Sequence, residues 1–596
     1  MSSQSIDTNN GPRVRDDMLV MTAGQGGDGS VTVITLLSWA LAQRGMHLFG
    51  LNEIASRIKG GHAAAAMRVS KKYRGCLSDK VDILVAFDSE AVEKIASFMA
   101  DDSVVIYDSS RGPLPQGCLP ETTRVIEVPF SRFAVRELKR DLFKNCLGFG
   151  VLARVMGLTD EEAHASIQHR FARLSEENRA PNLRALELGF DFADGHGVLS
   201  ENENKGLYEM PTLEREDRIM ISGNEATAFG FLAAGGRFFA GYPITPATDI
   251  MDWLKKKFPA FGGIAIQGED ELAAINLAIG SALTGARTMT ASSGPGIALM
   301  QEAVGHCGSA EIPMVIVDCQ RAGPSTGMPT KLEQNDLGML TQGGNGDFPR
   351  AVLSPGSAQE CFDFGALATN LSQAAQCPIY IAIDGMCQFT YTTKAFDISS
   401  VEIDNGKRLS DDELSKMDEY QRYKITDDGI SPMSVPGQKD GMSLVTGNER
   451  NEWGIVSTDP INRVAMMDKR QRKIETIKPR LPKGVEWGDK DSKIGVICMG
   501  MIGDVLTEAA ERLSQMGVNL RCHRPRTLWP ILDDTVNFVK ECDRVYVVEC
   551  NDSGQLARLI KGAGAPADKM ESILQYDGLP MRPGFLVDTL LEKEKA

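Results

Sequence analysis

The amino-acid sequence predicts an α/β fold built from three units, and three observations support this prediction. Short runs of apolar, β-branched residues recur along the chain and begin at Met18, Val81, Ser103, Ile312, Pro378, Lys493 and Asp543. Segments whose apolar residues follow helical spacing separate these runs, which is typical of buried parallel strands joined by helices. The alternation stops in two polar, charged stretches, at 196–218 and about 407–491, and such breaks indicate domain boundaries.

These breaks divide the chain into five segments. A chain of 596 residues is long enough for several domains, each with its own hydrophobic core. We expect a disordered tail (1–17), a first α/β unit (18–205), a second α/β unit (217–405), an irregular linking segment (406–491) and a third α/β unit (492–596).

Composition narrows the class of protein. The chain has 64 Lys and Arg against 80 Asp and Glu, a formal net charge of −16, which argues against non-specific binding to nucleic acids or anionic membranes. The most apolar stretch, Val31–Ala42, is too short to span a bilayer, and the polar N-terminus has no signal-peptide core. We therefore expect a cytoplasmic protein with no membrane and no nucleic-acid partner.

Metal-binding spacings are missing from the sequence. The 12 cysteines are scattered singly, without a C-x-x-C pair, so the chain encodes neither a zinc ribbon nor a ferredoxin-type cluster. It also lacks the H-E-x-x-H, G-x-S-x-G and Walker A motifs. We expect no metal site in this chain.

A glycine-rich loop, Gly24–Ser30, follows the first strand and precedes a helical pattern. Such a loop can present backbone N–H groups to an anion, although its glycines can equally serve only to make a tight turn. A dinucleotide site is disfavoured because no acidic residue ends a second strand at the expected distance. Gly27-Asp28-Gly29 begins the magnesium-diphosphate motif of thiamine enzymes, but the Asn-Asn that should follow is absent, since Asn9-Asn10 lies upstream.

The segment GYPITP (241–246) holds one threonine between two prolines. Each proline fixes its own φ and pushes the preceding residue toward extended geometry, so Tyr242 and Thr245 are predicted to lie in a stiff segment before a helix. A threonine held this firmly suggests a site that needs it in one place.

A second candidate is the acidic start of a predicted helix. Leu272, Ile275 and Ile279 follow helical spacing, which predicts a helix that begins near Glu269. Acidic residues at a helix N-terminus often do no more than complement the dipole. Glu269, however, stands three residues before Leu272, at the edge of the predicted buried face, where its carboxylate would be shielded from water.

The strand-end rule brings these candidates together. Ligands of open α/β sheets gather at the carboxyl ends of the strands. Thr245, Glu269, the Ser292-Ser293 pair and Arg321 all follow predicted strands and should surround one crevice. Arg321 would suit a carboxylate or phosphate as a bidentate clamp, although spacing alone is also compatible with an ordinary surface arginine.

Several of these stretches resemble the α subunit of 2-oxoacid:ferredoxin oxidoreductases, in the form with a γ domain fused in front. GQGGDGS and ASRIKGGHA are similar to the γ domain, and VVECNDSGQLARLI is similar to the transketolase-C-like domain. GYPITP, QGEDELAAI, TASSGPG and QRAGPSTGMPT are similar to the pyrimidine-binding domain. The resemblance covers roughly residues 18–590 and assigns these three domains to the first, second and third units.

The resemblance implies a thiamine diphosphate enzyme with divided sites. Glu269 would contact the aminopyrimidine ring, while Thr245 and Arg321 would hold the substrate. The cofactor-facing residues it implies are Tyr242, Pro243, Ile244, Glu269, Ser292 and Ser293.

The other cofactors and the partners are also implied by the resemblance. Coenzyme A would bind near Gly26, Gly27 and Ser30, or this loop would lie at an interface. A separate β subunit would supply the diphosphate, its Mg²⁺ and at least one [4Fe-4S] cluster. An (αβ)2 heterotetramer would pass electrons to ferredoxin, and it could also run in the carboxylating direction, as in a reductive tricarboxylic acid cycle.

The substrate is less closely defined. The fused form looks most like enzymes that act on 2-oxoglutarate, whose second carboxylate could meet Arg321, Lys331 or the basic cluster at 469–473. Pyruvate and branched-chain 2-oxoacids remain alternatives, as does a non-catalytic, nucleotide-binding regulatory subunit. For the basic run DKRQRK (468–473) we favour a solvated charged surface over a ligand contact.

Overall fold

The computed structural model describes residues 12–53, 61–196 and 206–595. It divides into two compact units. The first comprises the described residues up to Met220 together with Phe389–Lys394 and Arg582–Gly584. The second comprises Ile221–Gln388, Ala395–Met581 and the described residues from Phe585 onward.

Up to Ser222 the strands are β1 (Arg13–Val14), β2 (Asp17–Gln25), β3 (His47–Glu53), β4 (His62–Ser70), β5 (Val81–Ala86), β6 (Met99–Asp108), β7 (Arg124–Val128), β8 (Tyr208–Glu209) and β9 (Arg218–Ser222). The helices there are α1 (Ser30–Gln43), α2 (Ser89–Ile95), α3 (Phe130–Leu138), α4 (Lys144–Val155), α5 (Asp160–Arg170) and α6 (Glu176–Gly195).

Between Gly223 and Lys394 the strands are β10 (Phe238–Gly241), β11 (Ile264–Gln267), β12 (Thr288–Ser292), β13 (Met314–Cys319), β14 (Ala351–Leu353), β15 (Pro378–Ile383) and β16 (Phe389–Lys394). The helices are α7 (Gly223–Ala233), α8 (Thr248–Lys257), α9 (Glu271–Leu283), α10 (Gly294–Ala310), α11 (Leu337–Gln342) and α12 (Ala358–Ala375).

The remaining strands are β17 (Val485–Gly488), β18 (Ile494–Cys498), β19 (Arg521–Arg524), β20 (Thr527–Trp529), β21 (Arg544–Glu549) and β22 (Met570–Leu574). The remaining helices are α13 (Asp411–Ser415), α14 (Pro460–Ile477), α15 (Ile502–Gln515), α16 (Asp533–Glu541), α17 (Gln555–Gly562) and α18 (Pro583–Lys595). In the described part of the chain, no helix combines the length and the apolar character that crossing a membrane requires.

The first unit contains an eight-stranded sheet in the order β7-β6-β5-β2-β4-β3-β16-β9. β2 pairs in parallel with β5 but antiparallel with β4, so this sheet is mixed rather than wholly parallel as its apolar runs suggest. The apolar side chains of α1 and α4 pack with those of the strands into one core. The predicted disordered tail is only partly testable: residues 1–11 lie outside the described residues, but Arg13 and Val14 form β1, which pairs with β8.

One strand of the first unit's sheet comes from much later in the chain. β16 lies inside the segment predicted as the second unit (217–405), yet it pairs antiparallel with β3, with Phe389 opposite Leu51. The Thr392 hydroxyl donates to the Leu48 carbonyl at 2.7 Å and completes this pairing. A strand as short as this one, with the sequence FTYTTK, cannot by itself indicate which sheet it joins.

The second unit contains two sheets. The larger has the order β11-β10-β12-β13-β15-β14-β20, and its first six strands are parallel. β20, from the segment predicted as the third unit, adds to this sheet antiparallel to β14. The smaller sheet, β17-β19-β18-β21-β22, shares a hydrophobic core with the larger one.

The interpretation of the basic run 468–473 as a solvated surface is wrong. The run lies on α14, an 18-residue helix within the segment predicted to be irregular. Lys469 and Lys473 are fully buried, and their ammonium groups each lie 2.7 Å from a carboxylate oxygen of Glu311. Their alternative role at a ligand is also excluded in this structure, because Glu311 already engages both.

Candidate functional site

The GYPITP segment forms a tight turn between β10 and α8. The Ala247 amide donates to the Ile244 carbonyl at 2.8 Å, and the Thr245–Pro246 peptide is cis. Tyr242 and Thr245 are exposed, whereas Pro243 and Ile244 are half-buried. The turn therefore presents an aromatic ring and a hydroxyl to solvent on a backbone fixed by prolines.

Arg321 holds this turn from the end of the neighbouring strand β13. Its Nη1 donates to the Thr245 carbonyl at 2.7 Å, so the structure brings together two residues that the strand-end rule predicts to be neighbours. The side chain is only 6% exposed, and its Nε has no hydrogen-bond partner within the described residues. Burial lowers the pKa of Arg321, while the carboxylates of Asp336 and Glu271 oppose that change.

Glu269 lies in a different setting from the one predicted. α9 begins at Glu271, because the Asp270 side chain caps the helix by accepting from the Ala273 amide at 2.7 Å. Glu269 is therefore in the loop before the helix and is exposed, so the expectation that its carboxylate is shielded from water is wrong for this chain. The Gly268 amide donates to the Gly241 carbonyl at 2.9 Å, which keeps this loop beside the start of the GYPITP turn.

The loop between β12 and α10 brings two buried hydroxyls to the same end of the sheet. Ser292 and Ser293 are fully buried, and their hydroxyls have no partner among residues 12–53, 61–196 and 206–595. Glycine is required at positions 294 and 296 because neighbouring atoms leave no room for a Cβ. A Cβ at Gly294 would come 2.6 Å from Asp336 Oδ1, and one at Gly296 would come 2.7 Å from Glu271 Oε1.

A buried acid pair, formed by Asp318 at the end of β13 and Asp336 at the start of α11, was not predicted from the sequence. Asp318 is fully buried on β13, opposite Ser292 on β12. Burial raises the pKa of Asp318 well above its usual range, and the neighbouring Asp336 carboxylate adds to the rise. We infer that the pair shares one proton, which Asp318 donates to Asp336. The signal available in the sequence was the position of Asp318 at a strand end, three residues before Arg321.

Lys331 follows Arg321 later in the same loop, and its backbone returns to the residue after Arg321. Its carbonyl accepts from the Ala322 amide at 3.0 Å, and its Cβ would be 2.8 Å from a Cβ placed on Gly578. The structure therefore places the Lys331 backbone beside the site, with its side chain against a later segment of the second unit.

The glycine-rich loop of the first unit is a separate candidate. Gly26 and Gly27 are exposed, and Gly27 has a φ of 105°, which favours glycine. Ser30 is buried, and its hydroxyl donates to the Ala63 carbonyl at 3.4 Å, so it is not open to a ligand in this structure. The loop's own carboxylate, Asp28, is paired with two cations that lie on later elements, Arg111 at 3.0 Å and Lys144 at 2.7 Å. The ASRIKGGHA stretch beside it falls largely at 54–60, outside the described residues.

The strand-end cluster in the second unit fits half of a site for a heterocyclic cofactor and an acid substrate. Tyr242, Pro243 and Ile244 offer apolar surface, and Arg321 offers N–H donors in a dry setting. Unpartnered buried hydroxyls and the Arg321 Nε are groups that a ligand or a partner would satisfy. Within the described ranges, no three or more His, Cys, Asp or Glu side chains are grouped to hold a metal ion.

Comparison with known proteins identifies relatives along nearly the whole chain. Residues 230–468 match a family model described as pyruvate flavodoxin/ferredoxin oxidoreductase, thiamine diphosphate-binding. Residues 19–192 match a second model, described as pyruvate ferredoxin/flavodoxin oxidoreductase.

Two curated relatives and one solved structure extend this finding. The 2-oxoacid:ferredoxin oxidoreductase subunit alpha of a Sulfolobus species is 29% identical over 96% of this chain and 95% of its own length. The 2-oxoglutarate synthase subunit KorA of Methanothermobacter thermautotrophicus is 32% identical over 64% of this chain and 100% of its own length. The solved 2-oxoglutarate:ferredoxin oxidoreductase from Magnetococcus marinus, with 2-oxoglutarate, coenzyme A and succinyl-CoA bound, is 31% identical, covers 97% of this chain and 100% of that one, and superimposes with a TM-score of 0.89.

Proposed function

Since the chain belongs to the 2-oxoacid:ferredoxin oxidoreductase family as an α-subunit homologue, we propose that it is the γ-α fused subunit of an enzyme that acts on 2-oxoglutarate. The reaction is the reversible, coenzyme A-dependent oxidative decarboxylation of 2-oxoglutarate to succinyl-CoA and CO2, with electrons passed to ferredoxin. The residues at the ends of β10, β11, β12 and β13 form this chain's part of the active site.

Arg321 carries the proposal. Because Arg321 Nη1 donates to the Thr245 carbonyl, the Nε–Nη2 edge of the guanidinium is the edge left for a bidentate contact with a substrate carboxylate. The buried guanidinium is already held in place by the turn, so the substrate does not have to order it. Thr245, on the same turn, is exposed and adds a hydroxyl beside this edge for the carboxylate or the ketone oxygen.

Glu269 is the residue we assign to the cofactor. Thiamine diphosphate, when bound, supplies the electron sink for breaking the bond to the departing carboxylate. A carboxylate positioned by the loop at Gly268 can accept and return a proton at the pyrimidine nitrogen. Tyr242, Pro243 and Ile244 are suited to pack on the flat ring, and Ser292 and Ser293 lie deeper at the same sheet edge.

A partner subunit is part of this proposal. Glu269 and Thr245 are exposed in this chain, yet their chemistry requires a site shielded from water. The surface next to them is apolar: Leu272 is 47% exposed and Leu277 is 41% exposed, both on α9. We propose that a β subunit covers this surface, contributes the diphosphate, Mg²⁺ and [4Fe-4S] sites, and forms an (αβ)2 assembly that reduces ferredoxin.

The specificity for 2-oxoglutarate and the coenzyme A site are the finer parts of the proposal. The Magnetococcus marinus enzyme and the KorA subunits support 2-oxoglutarate as the substrate. Lys331, whose backbone adjoins Ala322, is the candidate for the distal carboxylate. For coenzyme A the candidate is the exposed Gly26–Gly27 backbone of the fused γ domain; the Ser30 side chain is buried and is not part of this proposal.

The test uses the chain co-expressed and purified with its β subunit. We expect coenzyme A-dependent reduction of a viologen dye with 2-oxoglutarate and much slower reduction with pyruvate. Arg321→Lys should lower kcat/KM about 10- to 100-fold, because lysine cannot hold the Thr245 carbonyl and a carboxylate in the same fork geometry. Glu269→Gln should lower kcat about 10²- to 10⁴-fold with an unchanged melting temperature, and Thr245→Val should lower activity more than stability.

Two comparisons make the outcome decisive. Glu302→Gln on α10 is the matched control for Glu269→Gln, since Glu302 is also an exposed glutamate of the second unit, and it should leave activity unchanged. Lys331→Met should raise the KM for 2-oxoglutarate but not for pyruvate. A complex that reduces no dye with any 2-oxoacid would overturn the proposal in favour of a non-catalytic regulatory subunit, and preferential turnover of pyruvate or a branched-chain 2-oxoacid would overturn only the choice of substrate.

A further inference from the structure

Asn224 lies beneath the GYPITP turn and contacts it directly. It is the second residue of α7, whose start is fixed by a capping box between Ser222 and Glu225. Asn224 is fully buried, and its Nδ2 donates to the Pro246 carbonyl at 2.8 Å. This contact joins the start of one helix to a turn 22 residues later in the chain.

The orientation of the Asn224 amide is set by a second buried contact. The Cys319 thiol, at the end of β13, donates to Asn224 Oδ1 at 3.2 Å. Because the oxygen of the amide accepts from the thiol, its NH2 group must face the Pro246 carbonyl. Burial raises the pKa of Cys319 well above its usual range, so the thiol keeps the proton that it donates.

Two successive carbonyls of the turn are thus held by side chains that depend on β13. Arg321 donates to the Thr245 carbonyl directly, and Cys319 orients Asn224, which donates to the Pro246 carbonyl. Pro246 has no N–H with which to fix itself to a neighbouring strand, so its carbonyl is the polar backbone group available for anchoring. The turn is therefore attached to the same strand end that carries the substrate-binding arginine.

We propose that Asn224 is a positioning residue that, oriented by Cys319, fixes Thr245 relative to Arg321. The inference rests on the proposed function, because it assigns the held turn to substrate binding. If the Asn224 contact is lost, the Thr245 carbonyl can move and release Nη1 of Arg321, so the edge presented to the substrate carboxylate changes. The effect should therefore fall on the 2-oxoacid and leave the coenzyme A interaction unaffected.

The chain contains a matched control for this arrangement. In the first unit, Asn182 on α6 is buried, its Nδ2 donates to the Asn178 carbonyl at 3.2 Å, and the Cys146 thiol lies 3.4 Å from its Oδ1. The same thiol, amide and carbonyl groups meet there within the helical layer of the first unit. Substitutions at Asn182 and Cys146 therefore measure the structural cost of breaking this series of hydrogen bonds at a place that holds no part of the candidate site.

The experiment compares Asn224→Asp with Asn182→Asp in the purified αβ complex, using 2-oxoglutarate, coenzyme A and a viologen dye. Aspartate keeps the size of the side chain but places an oxygen against the carbonyl. We expect Asn224→Asp to lower kcat/KM for 2-oxoglutarate about 10- to 100-fold and to leave the KM for coenzyme A unchanged. Asn182→Asp should lower the melting temperature about as much as Asn224→Asp does, but it should leave the KM values for 2-oxoglutarate and coenzyme A unchanged.

A second pair of variants decides the question if Asn224→Asp fails to assemble. Cys319→Ser retains a donor to the amide and should keep the KM for 2-oxoglutarate close to that of the wild type. Cys319→Ala removes the donor and should raise this KM about 3- to 10-fold, whereas Cys146→Ala should not change it.

Equal KM values for Cys319→Ala and Cys319→Ser, or a kcat/KM for Asn224→Asp that matches that of Asn182→Asp, would overturn the inference. A wild-type complex without 2-oxoacid oxidation would instead refute the proposed function itself.

Discussion

Glu311→Gln offers a direct test of the buried charges that anchor α14 to the second unit. Glu311 is fully buried just after α10, and Lys469 and Lys473 of α14 each place Nζ 2.7 Å from one of its carboxylate oxygens. Arg422 donates to the Glu311 backbone carbonyl at 2.7 Å. Burial alone would raise the pKa of Glu311, but Lys473, Lys469 and Arg422 together hold it well below its usual range.

The expected cost of this substitution follows from the charges that it strands. Glutamine keeps the size of the side chain but removes the negative charge, and two buried ammonium groups lose their shared counter-ion. Breaking a buried ion pair by removing one partner typically costs about 3–5 kcal/mol. Since Lys469 and Lys473 both lie on α14, the loss should appear first as local opening of α14 rather than as unfolding of the whole chain.

Hydrogen–deuterium exchange followed by mass spectrometry measures this local effect. The protection factors of the backbone amides in Pro460–Ile477 should fall by about two to four powers of ten, because each factor of ten corresponds to about 1.4 kcal/mol of the lost stability. Adding Lys469→Met and Lys473→Met to Glu311→Gln should restore most of the protection, because apolar replacements remove the stranded charges. Asp412→Asn is the control, because the Asp412–Lys416 pair is more than 70% exposed on both sides and should contribute less than about 1 kcal/mol. A change in α14 protection no larger than that of the control would refute the reasoning.

Two further predictions concern the site and its partner surface. Burial raises the pKa of Asp336 to about 6, so the native state holds protons that the unfolded chain releases near pH 4, and stability should fall as pH rises from 4 through 6. Asp336→Asn should flatten this slope in thermal melts between pH 4 and 8, and an unchanged slope would contradict the shared proton. Leu272→Asp and Leu277→Asp should weaken assembly with the proposed β subunit in analytical ultracentrifugation while the isolated chain keeps its melting temperature. Assembly as tight as that of the wild type would show that the proposed partner does not cover α9.

The strand-end rule correctly predicted from the sequence that Thr245 and Arg321 of the candidate site are neighbours, because it needs only the order of strands and loops. The segments that end at Gly241, Ser292 and Cys319 are strands, and because they pair in parallel their carboxyl ends lie at one edge of the sheet. Thr245 and Arg321 meet there as predicted. The α/β class is likewise confirmed, since alternation of apolar runs and helical spacing is read within short windows.

The errors share a physical cause, which is pairing between distant parts of the chain. The basic run at 468–473 is buried because Glu311 lies 158 residues before Lys469, and nothing local signals that partner. β16 joins the sheet of the first unit through β3, more than 300 residues away, as the Leu48–Thr392 contact shows. The predicted start of α9, near Glu269, is two residues too early. Three successive acids leave open which of them caps the helix, and in the structure it is Asp270.

The distribution of unsatisfied polar groups argues that this chain supplies one side of a larger site. Four residues at the ends of β12 and β13 have buried polar atoms that lack a partner within the described residues, namely Ser292, Ser293, Gln320 and Arg321. Each such atom costs about 1–3 kcal/mol unless something else satisfies it. A fold selected only for stability would replace several of these side chains with apolar ones, since the hydrophobic core of both sheets lies directly below. Their concentration beside an exposed glutamate, an exposed threonine and an apolar helix face is expected where a cofactor, a carboxylate substrate and a second subunit meet.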